Sequence, residues 1–365
     1  MKENLTNRQI AFMLFGYIVG YGIMGLPKNI AESAGTGGWI TLLIATAIAV
    51  IITYIFTYLG YIHENKTIYE YSKILTGKFI TAIFMFIFFI EFFFFFTMAI
   101  RVSSEIIKLT VLIKTPVWAL CLSFYLVIYY ILLKGLRIMA RVIEFYGMII
   151  IMAYLIIHFL ISTQGKLINI RPYFGEADIV TYFKSSIVTI LPFLGIEILA
   201  IIPFNRKINN KKVFKYTVSM ILFIGLFYIL VVESCISVNG VDGIIFYKDA
   251  LLATIRRIDV EWLQFLRRLD GIFLMAWIMS IFCTATINAY GAVFLIGKYF
   301  KKINRNLLIF IIVVISYYIS QIPKTFNDVQ TILDYSSYLG FATMGFIPIL
   351  LLIITKVKKY DKKTK

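Results

Sequence analysis

Two acidic residues lie inside long apolar stretches of the chain, where a carboxyl group is costly. Glu91 precedes a run of phenylalanines, and Glu197 lies just after Pro192 and Gly195. Ionisable groups at membrane depth cost several kcal/mol and usually face a cavity or a polar partner. Each carboxyl group is therefore a candidate to bind the ammonium group of a small ligand. The alternatives are structural: a neutral Glu91 bonded to a neighbouring helix, and a Glu197 that caps exposed backbone amides.

Two stretches of the sequence carry signals for an interrupted helix. The first reads GYGIMGLP at residues 20–27, and each of its glycines weakens a helix by about 1 kcal/mol relative to alanine. The second reads ILPFLGIE at residues 190–197, where Pro192 removes an amide donor and Gly195 tolerates an unwound backbone. Unwound backbone at membrane depth is stable only where protein or a water-filled cavity satisfies it. Both stretches are predicted to be helix breaks, although glycine and proline also occur in continuous membrane helices.

The two breaks together predict a binding site for a small zwitterion. Helix ends beside residues 22–25 and 193–195 would present free amides, whose partial positive charge attracts a carboxylate. Freed carbonyls and one of the two glutamates would receive the ammonium group. On a later apolar run, Thr286 lies one turn before Tyr290, and the two hydroxyls could bind a ligand or a dehydrated cation, or contact another helix. The predicted ligand-binding residues are Tyr21, Gly22, Gly25, Glu91, Phe193, Gly195, Glu197, Thr286 and Tyr290, with Met24 and Leu194 as further apolar wall.

The elements that must position these residues are those of a membrane protein. Hydrophobic residues make up 61% of the 365 residues, charged residues only 15%, and the mean hydropathy is +0.88. A soluble domain carries about 25% charged residues. A membrane-spanning helix needs about 20 apolar residues. We predict spans at residues 8–33, 38–63, 79–107, 116–134, 138–162, 182–204, 213–238, 264–298, 306–322 and 331–356.

The positions of the two breaks predict the architecture. They fall in the first and sixth of about ten spans, which is the same place in two halves of five. Interrupted spans at matching places indicate an inverted-repeat transporter fold with its binding site at the breaks. The prediction is a single all-α transmembrane domain over residues 1–365. Its first repeat covers about 8–162, its second about 182–356, and a basic tail follows at 357–365.

Charge and composition restrict where the protein is located and which class of protein it is. The net charge of +17 comes from Lys and Arg that lie mostly in the short gaps between apolar runs. Their uneven distribution between the two sides predicts that both termini are cytoplasmic, and contact with anionic headgroups explains the charge without nucleic acid. The three cysteines and two histidines lack metal-ligand spacing, and no catalytic cluster or phosphate loop is recognisable. Neither a cofactor nor an enzyme activity is predicted.

Other polar residues in or beside the spans are interpreted as structural. Arg101 and Glu105 are four residues apart and are predicted to pair along one helix face. His158 is predicted to be a hydrogen-bonded core residue. The segment at residues 246–257 alternates apolar and charged residues, which favours a short interfacial helix over the mouth of the bundle.

Several short motifs, taken in their order and spacing, resemble a known family. They are Leu5-Thr6-x2-Gln9, Gly20-x-Gly22-x3-Leu26-Pro27, Trp39, Arg171-Pro172, Pro192-Phe193-x-Gly195-x-Glu197, Pro203 and Arg268-Leu269-Asp270 with Trp277. Over nearly its whole length the chain is similar to the B subunits of endospore germinant receptors, the spore germination permeases.

This resemblance implies a relative of the amino acid/polyamine/organocation permeases, with their LeuT-like fold, in the spore inner membrane. It implies that the chain binds a germinant, often an amino acid, and works with the A and C subunits of a receptor, of which the A subunit would form an ion channel. The site would lie between spans one, three, six and eight. Two other functions stay open. One is a secondary transporter, coupled to protons through Glu91 or to sodium at the first break, and the other is a passive channel or scaffold.

Overall fold

A computed structural model describes residues 4–20, 22–175, 178–247, 249–257 and 269–360. Within these residues the regular secondary structure is helical, without a strand. The α-helices are α1 (Asn7–Ile18), α2 (Leu26–Ala34), α3 (Gly38–Ile62), α4 (Ile68–Thr110), α5 (Val117–Lys134), α6 (Leu136–Thr163), α7 (Ile179–Thr189), α8 (Lys212–Ile245), α9 (Ala250–Arg256), α10 (Leu269–Tyr299), α11 (Arg305–Ser320), α12 (Phe326–Gly340) and α13 (Ile347–Val357).

The order of these helices matches the order of the predicted spans. By length and composition, seven helices or joined helices in the described ranges can cross a membrane. A further crossing is the bent pair Ile179–Ile187 and Leu191–Ala200, whose halves meet at 43°. Helix α11 is apolar but shorter. One of the seven candidates, Leu26–Ile62, joins α2 to α3. Since α3 with 25 residues is long enough to cross alone, α2 is free to complete the first span with α1, which has only 12 residues. The chain is a multi-pass membrane protein whose first and sixth spans are discontinuous, as predicted.

Capping residues fix where two of the helices begin. Thr6 and Gln9 exchange hydrogen bonds of 3.2 and 3.0 Å at the start of α1, and Thr67 and Glu70 form the same motif at the start of α4. Such a capping box satisfies amides that a helix start leaves free. Helix α4 therefore begins at Ile68, but its backbone is non-helical at Gly77, so the membrane-spanning part begins close to residue 79, where the third span was predicted to start.

Two glycines mark corresponding corners in the two halves of the chain. Gly77 in α4 has a φ of 84°, and Gly240 in α8 has a φ of 69°. A short helical segment lies beside each corner, between spans two and three in the first half and between spans seven and eight in the second. This correspondence agrees with the predicted inverted repeat.

Helix α9 is not the interfacial helix that the sequence predicts. Ala250, Leu251 and Leu252 are fully buried, and α9 packs against α2, α6, α8 and α10. The amide of Leu251 donates a hydrogen bond to the carbonyl oxygen of Met24, at 3.3 Å. The apolar positions of this segment therefore face the interior of the bundle, where the prediction had placed them in the lipid headgroups.

Helix α10 is buried along most of its length and packs against α1, α4 and α6. The predicted pair beside it is confirmed: Arg101 Nε lies 2.7 Å from Glu105 Oε1, and Arg101 also donates to the carbonyl oxygen of Ser320 at 2.8 Å. His158 is fully buried and lies 2.8 Å from the hydroxyl of Ser234, as predicted. These contacts join neighbouring spans at a distance from the two breaks.

Candidate functional site

The two broken spans touch each other at their breaks. Helix α1 ends at Ile18 and α2 begins at Leu26, while the sixth span continues beyond α7 only as 3-10 turns. A Cβ atom added to Gly22 would lie 3.8 Å from the Cα atom of Pro192. A Cβ atom added to Gly195 would lie 2.8 Å from Cγ1 of Ile18. The unwound segments of both spans therefore form one junction.

The second break satisfies its own backbone amides. The amide of Phe193 donates to the carbonyl of Ile190, and the amide of Leu194 to that of Leu191, both at 2.9 Å. The amide of Gly195 donates to Oε2 of Glu197 at 2.8 Å. These three amides were predicted to attract a ligand carboxylate, but each is already bonded, so a carboxylate has to bind elsewhere.

Both glutamates are buried and keep free oxygen atoms. Glu197 is 0% exposed, and its Oε1 has no hydrogen-bond partner among the described residues. Glu91 is 2% exposed, and within the same residues neither of its carboxyl oxygens has a partner. The two carboxyl groups lie close enough to interact electrostatically. Buried acceptors of this kind are costly unless a donor or a cation reaches them.

A tyrosine that the sequence analysis missed lies beside the two carboxyl groups. Tyr17 in α1 interacts electrostatically with Glu91 and Glu197, and its hydroxyl donates to Oδ1 of Asn288 at 2.7 Å. Thr284, one turn before Asn288 on α10, places its hydroxyl 2.9 Å from the carbonyl oxygen of Tyr17. A tyrosine in an apolar helix has no sequence signal that separates it from an ordinary core aromatic residue.

A second missed residue connects the two breaks. Tyr228 on α8 is fully buried, and its hydroxyl lies 3.0 Å from the carbonyl oxygen of Ile18 and 3.1 Å from that of Pro192. Both carbonyls belong to the ends of broken segments. The sequence gives no hint of this contact, because Tyr228 lies within an otherwise apolar stretch.

A cavity of about 160 Å³ opens at this junction. It extends toward the half of the bundle opposite the N-terminus, where α2 and residues 330–338 of α12 line it. Asp334 is the only charged residue among its described lining residues. The lining residues are Tyr17, Ile18, Gly22, Asn29, Phe95, Leu191, Pro192, Leu194, Gln330, Asp334, Ser337 and Tyr338. An acidic cavity without a basic side chain suits a ligand that carries a cationic group.

The predicted site residues do not all lie at this cavity. Gly22 lines it, as does Leu194, and Gly25 is the residue that precedes the first turn of α2. Phe193 is fully buried behind the cavity, with its ring centroid 5.4 Å from that of Tyr228. Tyr21 lies outside the described residues.

The two predicted residues of α10 lie apart from the cavity lining. Thr286 is fully buried, and its hydroxyl has no hydrogen-bond partner in the part of the chain that the structure describes. Tyr290 lines a different cavity of about 480 Å³ at the other end of the bundle. That cavity also contains Glu70 and Lys298, which form an ion pair with a distance of 2.5 Å. The structure therefore does not bring Tyr290 together with the residues of the two breaks.

The described residues contain no group of three or more His, Cys, Asp or Glu side chains arranged to hold a metal ion. The polar groups that converge on the junction are two carboxyl groups, a phenol and an amide. They can bind an ammonium group by charge and hydrogen bonds.

Solved structures with the same fold are membrane transporters. The chain superposes on a Na⁺-coupled sialic acid symporter in its substrate-bound outward-open state with a TM-score of 0.70, covering 94% of this chain and 78% of that one. It superposes on Mhp1, a nucleobase-cation-symport-1 family transporter in a closed conformation with bound bromovinylhydantoin, with a TM-score of 0.73, covering 96% and 78%. Sequence identity is 11% in both cases, so the likeness concerns the fold alone. It confirms the predicted LeuT-like architecture.

Curated relatives match the chain over nearly its whole length. Spore germination protein YndE of Bacillus subtilis (strain 168) is 28% identical over 363 residues, covering 99% of both chains. Spore germination protein A2 of the same organism is 27% identical over 348 residues, covering 94% of this chain and 93% of the relative. Spore germination protein GerLB of Bacillus cereus is 24% identical over 364 residues, covering 98% and 96%.

The model of one protein family matches residues 4–329, which include both breaks, Glu91, Glu197 and Tyr228. This match covers far more than half of the chain, and it agrees with the motifs from which the resemblance was first inferred. The chain belongs to the spore permease family of spore germination proteins.

Proposed function

We propose that this chain is the germinant-sensing subunit of a spore germination receptor. In this proposal it binds a small zwitterion, an amino acid, where the two broken spans meet. It then signals to the A and C subunits of the receptor in the spore inner membrane. Membership of the spore germination family supports the general role, and the transporter fold supports a binding site at the breaks.

One observation carries the proposal: a cavity reaches both breaks, and Tyr17 in its lining interacts with two buried carboxyl groups, each of which has at least one oxygen without a partner among the described residues. Its volume of about 160 Å³ suits a small ligand. The ammonium group would bind Glu91 and Glu197. The carboxylate would bind at the start of α2, beside Gly22 and Gly25, because the amides of the second break are already bonded.

The side from which the ligand enters follows from the charge of the loops. If the basic loops lie in the cytoplasm, the N-terminus is cytoplasmic and the cavity opens to the opposite side. A germinant that arrives from outside the spore core would then reach the breaks directly. Its binding would stabilise one conformation of the bundle, and the partner subunits would respond to that conformation.

Thermal unfolding of the purified protein in the presence of each of the twenty amino acids tests this proposal. A ligand at 100 times its Kd stabilises the folded state by about 2.7 kcal/mol, so at least one amino acid is expected to raise the unfolding midpoint. The variant Glu91→Gln should lose this increase. Glu233→Gln is the matched control, because Glu233 also lies in a span and has a carboxyl oxygen without a partner among the described residues. Unlike Glu91, it is not among the groups that interact with Tyr17 of the cavity lining. Absence of any increase, or the same increase with Glu91→Gln, would contradict the proposal.

A second candidate function is transport of the same ligand. The larger cavity with Glu70 and Lys298 lies at the opposite end of the bundle, and two cavities at opposite ends favour alternating access. Accumulation of a labelled amino acid against its gradient in liposomes would favour this carrier function. Binding without accumulation would favour the receptor.

A further inference from the structure

The broken spans leave backbone carbonyl groups without an amide of their own helix. Ile18 is the last residue of α1, and Pro192 lies in a short 3-10 turn. A buried carbonyl without a donor costs about 1–3 kcal/mol. The hydroxyl of Tyr228 lies within hydrogen-bond distance of both carbonyl oxygens, at 3.0 and 3.1 Å. One side chain of a third span therefore serves both breaks.

Tyr228 is held firmly in this position. It is fully buried, and the ring of Phe193 packs edge-on against its ring. Helix α8, which carries Tyr228, packs against α1, α2 and α3. The hydroxyl has a single proton, which the two carbonyls share, so Tyr228 contacts both breaks at once only while they stay close to each other.

We propose that Tyr228 is a positioning residue, whose hydroxyl holds the two breaks together so that the cavity between them keeps its shape. This inference depends on the proposed function in one respect, which is that the cavity is the ligand site. The position of the breaks themselves is measurable without any ligand. Loss of the hydroxyl should let the two unwound segments separate.

Cross-linking between the two breaks measures this separation. A Cβ atom at Gly22 would lie 3.9 Å from Cβ of Pro192, within the range of roughly 3.5–4.5 Å that disulfides span. The double variant Gly22→Cys/Pro192→Cys should therefore form a disulfide rapidly with a mild oxidant in membrane vesicles. The native cysteines Cys121, Cys235 and Cys283 are buried. Addition of Tyr228→Phe should slow disulfide formation about fivefold, which is the effect of losing one hydrogen bond of ordinary net strength.

Tyr154 provides the matched control. It is also a fully buried tyrosine near Tyr228, but its hydroxyl has no hydrogen-bond partner among the residues described. Tyr154→Phe removes the same atom from the same neighbourhood and should leave the rate of cross-linking unchanged. Equal slowing by both substitutions would show general loosening of the bundle and would overturn the proposal, as would an unchanged rate with Tyr228→Phe.

Replacement of Tyr228 by non-natural residues covers the case in which Tyr228→Phe fails to fold. 4-Fluorophenylalanine fills the para position without donating a hydrogen bond, whereas 4-aminophenylalanine fills it and donates. Slow cross-linking with the fluoro residue and fast cross-linking with the amino residue would support the proposal, and equal rates would overturn it. Since no ligand is added, these results do not depend on whether an amino acid binds.

Discussion

The two broken spans differ in the source of most of the groups that bond to their unwound backbone, although the hydroxyl of Tyr228 on α8 contacts a carbonyl oxygen at each break. At the second break, the amides of residues 193–195 bond to groups of the same segment. At the first break, carbonyl oxygens accept hydrogen bonds from other spans. Thr284 donates to the carbonyl of Tyr17, Tyr228 to that of Ile18, and the amide of Leu251 to that of Met24.

This difference indicates which break moves. A segment that satisfies its own amides keeps its shape when its neighbours shift, so the second break is a rigid corner. The first break depends on contacts with α8, α9 and α10, and a change in it must change at least one of those contacts. We expect a ligand in the cavity to alter the first break and to transmit the change to these helices.

The largest effect is expected at the rigid corner, from Gly195→Ala. Gly195 has a φ of 131°, which L-residues rarely adopt, and an added Cβ atom would lie 2.8 Å from Cγ1 of Ile18. Backbone strain and overpacking each cost about 1–3 kcal/mol, so the substitution should lower the free energy of unfolding by about 2–6 kcal/mol. Chemical unfolding in detergent measures this change.

Gly22→Ala makes the same glycine-to-alanine change at the first break and is the control for Gly195→Ala. Its new Cβ atom would make only an ordinary contact of 3.8 Å with Pro192, so the free energy of unfolding should change by less than about 0.5 kcal/mol. Equal effects at Gly22 and Gly195 would contradict the distinction between a rigid and an adaptable break.

The next largest effect concerns the cap at the second break. Glu197→Ala removes the acceptor of the Gly195 amide and should cost about 1–3 kcal/mol of stability. Glu197→Gln keeps an acceptor oxygen and should preserve most of the stability, while it removes the charge that we propose binds the ammonium group. Unfolding midpoints of both variants, with and without amino acids, separate the two roles. Identical stabilities would show that Glu197 does not cap the break.

The sequence predicted the breaks but not the residues that hold them. Glycine and proline alter the backbone directly, so GYGIMGLP and Pro192-x2-Gly195 located the breaks from composition alone. The contacts of Tyr17 and Tyr228 depend on which face of an apolar helix turns inward, and a span that is apolar all round gives no such signal. The same ambiguity placed Tyr290 at the breaks, although it lines the other cavity.

A smaller effect on stability, but a clear one on binding, is expected from Gly22→Leu. Gly22 lines the cavity, and a leucine side chain would extend into the space that the ligand needs. The affinity for a stabilising amino acid should fall at least about tenfold, equivalent to about 1.4 kcal/mol, while the protein still folds. Gly345→Leu is the control, since a Cβ atom there would meet nothing within 4 Å and Gly345 does not line the cavity. Unchanged affinity with Gly22→Leu would show that the ligand does not bind in this cavity.

The smallest effect is expected from Thr284→Val, which probes the contact between α10 and the first break. The Thr284 hydroxyl lies 3.0 Å from the carbonyl of Gly16 and 2.9 Å from that of Tyr17. Its loss should cost about 1 kcal/mol of unfolding free energy. Thr286→Val removes a hydroxyl without a partner among the described residues and should leave stability unchanged. If Thr286 binds the ligand as the sequence predicts, Thr286→Val should instead lose its stabilisation by amino acids. If amino acids raise the unfolding midpoint of Thr286→Val as much as that of the wild type, Thr286 is excluded from the site. Helix α10 then has a structural role at the first break.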